Sequence, residues 1–94
     1  MVSIVPSAAF QRALRKLPSA DQRIVLEALL KLSEAFGQPH VHAGLSIRQL
    51  RRRVYEVRVG LDLRVGFTLV DSSLLIQTVG NHDHIRAWLK ENAR

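Results

Sequence analysis

The chain has 94 residues, 47% of them apolar, and sets 14 lysines and arginines against 8 aspartates and glutamates, for a net charge of +6. That length holds one hydrophobic core, and that apolar content excludes a disordered chain. No apolar run nears the roughly 20 residues of a membrane-spanning helix, and with no cysteine both disulfides and thiolate metal sites are excluded.

Residues Met1 to Ser7 show no charged segment followed by an apolar stretch, so no secretory signal is expected and the cytoplasm is the expected compartment. No repeat, low-complexity tract or Pro/Gly/Ser linker divides the chain, and residues 1–94 read as a single domain. The first half reads as helices. Pro6-Ser7 is a start signal, with Ser7 placed to cap the first turn. Phe10, Leu14 and Leu17 follow at i, i+4 and i+7, an apolar stripe that Pro18 ends. Ser19 with Gln22 three residues on has the pattern of a capping box opening a second helix. Its apolar stripe is read as Ile24, Ala28, Leu29, Leu32, Ala35 and Phe36, with Gly37 and Pro39 as the stop. So short a link predicts a helical hairpin.

From Gly44 the period changes to two. Tyr55, Val57 and Val59 alternate with Val54, Glu56 and Arg58, a strand with one wet face. Gly60-Leu61-Asp62 turns the chain into a second strand, where Leu63, Val65, Phe67 and Leu69 alternate with Arg64, Gly66 and Thr68. Asp71-Ser72 turns it again into Leu74 to Val79, an almost continuous apolar run that predicts a central or doubly covered strand. Ile47 to Leu50 is a candidate fourth strand. Asn81 or Asp83 caps a short last helix whose Ile85, Trp88 and Leu89 dock on the sheet. The expected fold class is α+β: an N-terminal helical hairpin packed on one face of a small antiparallel sheet of three to four strands, with a short C-terminal helix.

The opposite face of the sheet is where function is expected. Between Ile47 and Arg64 lie Arg48, Arg51, Arg52, Arg53, Arg58 and Arg64, opposed by Glu56 and Asp62 alone. Guanidinium forks suit bidentate phosphate contact, so this stretch predicts a polyanionic partner. Arg58 and Arg64 fall nearly opposite each other across a tight turn, an arrangement that costs about 0.2–1 kcal/mol and points to an anionic ligand unless Glu56 or Asp62 neutralises it. The four histidines form two His-x-His pairs, His40 with His42 and His82 with His84. Either pair has chelating spacing, but no carboxylate pattern supports a metal, and neither metal nor cofactor is expected. His40 and His84 read as surface residues. Trp88 reads as packing for the last helix, with base stacking as the alternative. Tyr55 alternates to the side away from Arg58 and reads as core.

The ordered set Tyr55-Glu56-Val57-Arg58-Val59, Leu63-Arg64-Val65-Gly66-Phe67 and Val79-Gly80-Asn81-His82-Asp83, preceded by its helical hairpin, resembles the RelE/ParE superfamily of toxins from type II toxin–antitoxin systems, with the RelE-like branch favoured. The resemblance covers essentially the whole chain. It implies an endoribonuclease that cuts messenger RNA, on the ribosome for most members, by metal-independent attack of the 2′-OH on its own phosphodiester. It also implies a cognate antitoxin protein as partner and no membrane association. Carried over by position, Arg64 matches the sheet arginine that stabilises the phosphate, Arg58 a basic position on the neighbouring strand, and His82 the basic residue or catalytic histidine after "V-G-x". Histidine suits such a place because its ordinary pKa lies near neutrality. Arg48, Arg51, Arg52, Arg53 and His42 are the candidate RNA-binding residues. The chain departs from the RelE pattern in two ways: Glu56 stands where a cation is expected, as base or as a weakener of phosphate binding, and the late tyrosine is absent. The alternatives are a ParE-like toxin of DNA gyrase and a non-catalytic RNA-binding module.

Overall fold

The computed structural model describes residues 2–38 and 46–92. The chain forms β1 (Ser3–Pro6), α1 (Ala8–Arg15), α2 (Ser19–Ala35), β2 (Ile47–Arg51), β3 (Val54–Val59), β4 (Leu63–Val70), β5 (Ser73–Gly80) and α3 (His82–Glu91). The strands make one five-stranded sheet in the order β1-β5-β4-β3-β2. The α+β architecture is the expected one, but the sheet is larger and mixed. β2 to β5 form an antiparallel meander, and β1 adds a fifth strand parallel to β5, with Ile4 opposite Leu74 and Pro6 opposite Ile76. β1 gives little local signal: it has four residues, and its Pro6 lacks an N–H, which a strand tolerates at an edge. Its start is tied to α2 instead, since the Val2 amide donates to the Ser33 carbonyl and the Ser33 hydroxyl donates to the Val2 carbonyl at 2.7 Å.

The helix starts follow different chemistry. Ser7 caps α1 by accepting from the Phe10 amide at 3.1 Å. The capping box expected at Ser19 does not form: Pro18 takes the cap position, Ser19 is the first helical residue, and the Gln22 side-chain amide donates to the Leu17 carbonyl at 2.8 Å. The buried stripe of α2 is Val25, Leu29, Leu32 and Ala35, so Ile24, expected in the core, lies 42% exposed. Spacing allows either neighbour at that turn. Val25 is the one that keeps the i, i+4, i+7 row through Leu29 and Leu32.

One sheet face carries the core. Val57, Val59, Val65, Phe67, Leu74, Ile76 and Val79 meet Phe10, Val25, Leu29 and Leu32 of the two helices. Each such side chain contributes about 1.5–3 kcal/mol of transfer free energy. Tyr55 belongs to this side, stacked on Phe67 with ring centroids 5.6 Å apart and edge-on to Phe36 at 5.1 Å.

The other face is partly covered by α3. Ile85 and Trp88 are buried, and the Trp88 ring lies against Gly66, where a Cβ would come within 2.6 Å of it. Gly80 plays the same part for His84, whose ring a Cβ would approach to 2.5 Å. Opposite Gly66 the ladder carries a bulge: Phe67 pairs with Ile76 and Gly66 with Thr78, leaving Gln77 unpaired across the strand. Gly66→Ala forces this packed indole to move, and overpacking of that kind costs about 1–3 kcal/mol. A urea titration should show the midpoint falling with the slope unchanged.

Candidate active site

The exposed face of β3 and β4 places its side chains in two rows. In the first, Arg48 of β2 stands in register with Glu56 of β3, and Glu56 with Gly66 of β4. In the second, Arg58 stands directly opposite Arg64, and Arg64 opposite Gly80 at the end of β5. The expected opposition of the two arginines is therefore a feature of the sheet. Arg58 is exposed, Arg64 is half-buried, and Glu56 is only 7% exposed. The Glu56 carboxylate lies 3.9 Å from the Arg64 guanidinium, the outer limit of an ion pair. At that separation it holds the arginine in place while leaving its hydrogen-bonding edge free for another acceptor.

His82 enters from the first turn of α3. Asn81 accepts from the His84 amide at 2.9 Å and fixes where that helix begins. The turn brings His82 against the Arg64 guanidinium, whose Nη1 donates to His82 Nδ1. Arginine is a donor only, so in this contact the ring nitrogen is the acceptor. Arg64, Arg58, Glu56 and His82 thus converge at one end of the sheet. Arg48 adjoins them, and with Glu56 and Arg58 it lines a shallow cleft of about 270 Å³.

The remaining cations lie elsewhere. Arg52 and Arg53 make the turn between β2 and β3, with Arg51 just before it. Arg58 follows Arg53 five positions along the strand, roughly 16 Å at the usual rise. Arg53 has φ +64°, a left-handed conformation that a side-chain-bearing residue adopts at a cost. His42 and His40 lie outside the described residues.

His84 is more than a surface residue. Its Nε2 and the Thr78 hydroxyl form a 2.6 Å hydrogen bond, and its ring seats on Gly80. His82 and His84 therefore fall on opposite flanks of α3, one toward Arg64 and one toward β5. The His-x-His spacing shows that both leave the same turn, but the side each takes depends on the sheet beneath. Trp88, 8% exposed on Gly66, is packing for α3. Among the described residues no three His, Asp or Glu side chains group to hold a metal ion, and no helix is long and apolar enough to cross a membrane.

No protein-family model matches the sequence, and no curated protein matches it. Solved structures do. A free RelE toxin of E. coli with two arginines replaced by alanine superposes with a TM-score of 0.69 at 16% identity, covering 93% of this chain and 90% of that one. RelE in the RelE–RelB complex of Pyrococcus horikoshii OT3 gives 0.66 at 22% identity, over 85% and 93%. YafQ from E. coli strain BL21(DE3) gives 0.62 at 14% identity, over 90% and 98%. Element order, mixed sheet and near-complete coverage on both sides agree: the fold of this chain is the RelE fold.

Proposed function

We propose that this chain is the toxin of a type II toxin–antitoxin pair and cuts messenger RNA, on the translating ribosome, by attack of a ribose 2′-OH on its own phosphodiester. The observation that carries this reading is the Arg64–His82 contact beside Arg58 at one open end of the sheet. The likeness to RelE and YafQ structures supports it. In the reaction the 2′-OH gives up its proton to solvent water as its oxygen bonds to phosphorus. The P–O5′ bond breaks, the 5′-oxygen takes a proton, and a 2′,3′-cyclic phosphate and a 5′-hydroxyl are left. Charge gathers on the phosphorane oxygens, where Arg58 and Arg64 supply cations, Arg64 already held by Glu56 and His82. His82 in its imidazolium form supplies the proton to the leaving oxygen and is left as neutral imidazole, the form that accepts from Arg64. Glu56, buried against Arg64, holds that guanidinium rather than meeting the substrate. A separately encoded, acidic and partly disordered antitoxin fits the cationic face, as RelB partners RelE in the Pyrococcus complex.

Purified protein should produce new 5′ ends on a defined messenger RNA, mapped by primer extension with and without ribosomes. Arg64→Ala should lower the cleavage rate about 10²–10³-fold and His82→Ala about 10²–10⁴-fold, with unchanged thermal unfolding for His82→Ala because that side chain is exposed. Full cleavage by the double variant would end the proposal. Growth arrest with DNA damage and no RNA cut in either condition would transfer it to gyrase.

Glu56→Gln separates holding from base catalysis. It should cost less than about tenfold in rate, one hydrogen bond's worth, and tighten RNA binding. A loss as deep as that of Arg64→Ala would make Glu56 the base instead.

The turn at Arg52 and Arg53 is a second phosphate-binding point in this reading. Arg53→Gly relieves the left-handed strain and should raise stability by up to about 1 kcal/mol. It should also weaken RNA binding and lower the slope of its salt dependence by about 0.7 for each phosphate the turn no longer neutralises. Calorimetry and binding at several salt concentrations read the two effects separately.

A further inference from the structure

At the edge of the sheet opposite β2, an apolar groove of about 640 Å³ runs between β1 and α2, lined by Val2, Ile4, Leu26, Leu29, Leu30 and Ser33. Leu30 is 72% exposed and Leu26 48%, one turn apart on the same flank of α2. A single exposed leucine is ordinary, but two beside an apolar groove mark a contact surface. No described residue of the lining is charged, so a polyanion has nothing to hold there. The backbone of β1 argues against an added strand. The Ser7 amide donates to the Ile76 carbonyl at 2.9 Å, so by alternation Ser3 and Val5 turn their backbone groups to β5, and Ile4 and Pro6 turn theirs outward. Pro6 has no N–H, and its carbonyl accepts from the Gln11 side chain at 3.2 Å. Val2, next along the edge, already has both its groups on Ser33. Ile4 alone in β1 offers a donor and an acceptor, too little for strand addition. A helix needs no backbone partner, and a helix is what this groove can take.

The rim of the groove selects which helix. Arg23, Glu27, Lys31 and Glu34 are exposed beside the two leucines, and among the described residues none of the four is in an ion pair. Two cations against two anions leave the rim neutral, with no net attraction for an acidic antitoxin helix, yet the rim is complementary to itself. We propose that this face pairs with the same face of a second copy of the chain, α2 antiparallel to α2 about a two-fold axis. An axis beside Ala28 and Leu29 sets Arg23 opposite Glu34 of the second copy. It also puts Leu26 beside Leu30 and Glu27 beside Lys31, each within one residue of register, about 1.5 Å of helix rise. Each of these contacts occurs twice across the axis. The arginine rows lie across the sheet from α2, so both copies keep theirs open.

Sedimentation of the purified full chain from micromolar to millimolar concentration should show a monomer–dimer equilibrium. Leu30→Glu places a charge at the centre of the contact and should weaken association at least about tenfold. Thermal unfolding should be unchanged, because that side chain is exposed. Glu34→Arg sets arginine against arginine twice and should weaken association about tenfold, and adding Arg23→Glu should restore it to within about threefold. A monomer at every concentration overturns the proposal and leaves the face to a helix of another protein. A dimer that survives Leu30→Glu is joined elsewhere and overturns it too, as does a Glu34→Arg defect that Arg23→Glu fails to repair. None of these residues belongs to the arginine face, so failure here leaves the nuclease reading untouched.

Discussion

The close approach of α3 to the sheet governs everything else on the functional face. A helix usually rests on a sheet with side chains filling the gap, but here two glycines remove that layer. Gly66 gives the Trp88 ring a seat, Gly80 gives the His84 ring another, and the Asn81 cap fixes where the helix begins. Neither glycine adopts a left-handed backbone, so both are present for space rather than for conformation. Because the first turn of α3 is held this low, His82 meets Arg64 and His84 meets Thr78 through direct side-chain contacts. A helix raised by one methyl group would break both.

The electrostatic design follows from the strand register. Arg58 and Arg64 are opposed at the open end, where solvent screens the exposed Arg58, and Glu56 is buried one row in, where its charge counts for more. The carboxylate thus stabilises Arg64 from below without occupying the space above. Arginine cannot give up its proton to relieve the repulsion, so the pair stays cationic. The Arg52-Arg53 turn is removed from this end by most of a strand. The arginine-rich stretch that looks like one patch in the sequence is two separate footings, and an extended polyanion fits them better than a single small anion.

Much of this was legible in the sequence, for physical reasons. Period-two alternation identifies β3 and β4, and a short turn between them forces Arg58 toward Arg64. The last helix's cap reads as Asn81 or Asp83, since both precede the apolar spacing of α3, and the structure takes Asn81. Other features resist such reading because they are decided at a distance. β1 is a strand only because β5 offers it an edge seventy residues away. The bulge at Gln77 breaks alternation, so Leu74 to Val79 reads as an apolar run and the outlying glutamine goes unnoticed. Ile24 and Val25 are equivalent by composition, and only the packing of α2 on the sheet chooses between them. The same holds for His84: it takes the β5 flank because Gly80 leaves room there.

The local penalties also have a distribution. Two opposed arginines, a buried carboxylate and a buried amide oxygen without a partner among the described residues all lie on the side of the sheet that carries α3. The opposite side, under α1 and α2, is a continuous packing of Phe10, Phe67, Ile76 and their neighbours. A sheet face shaped for stability alone would exchange buried charges and lone acceptors for apolar groups, a change that is often neutral or stabilising. A single fold that keeps its costs on one face and its cohesion on the other has divided its labour by layer. The helical layer secures the sheet, so the exposed layer can hold groups that cost it stability.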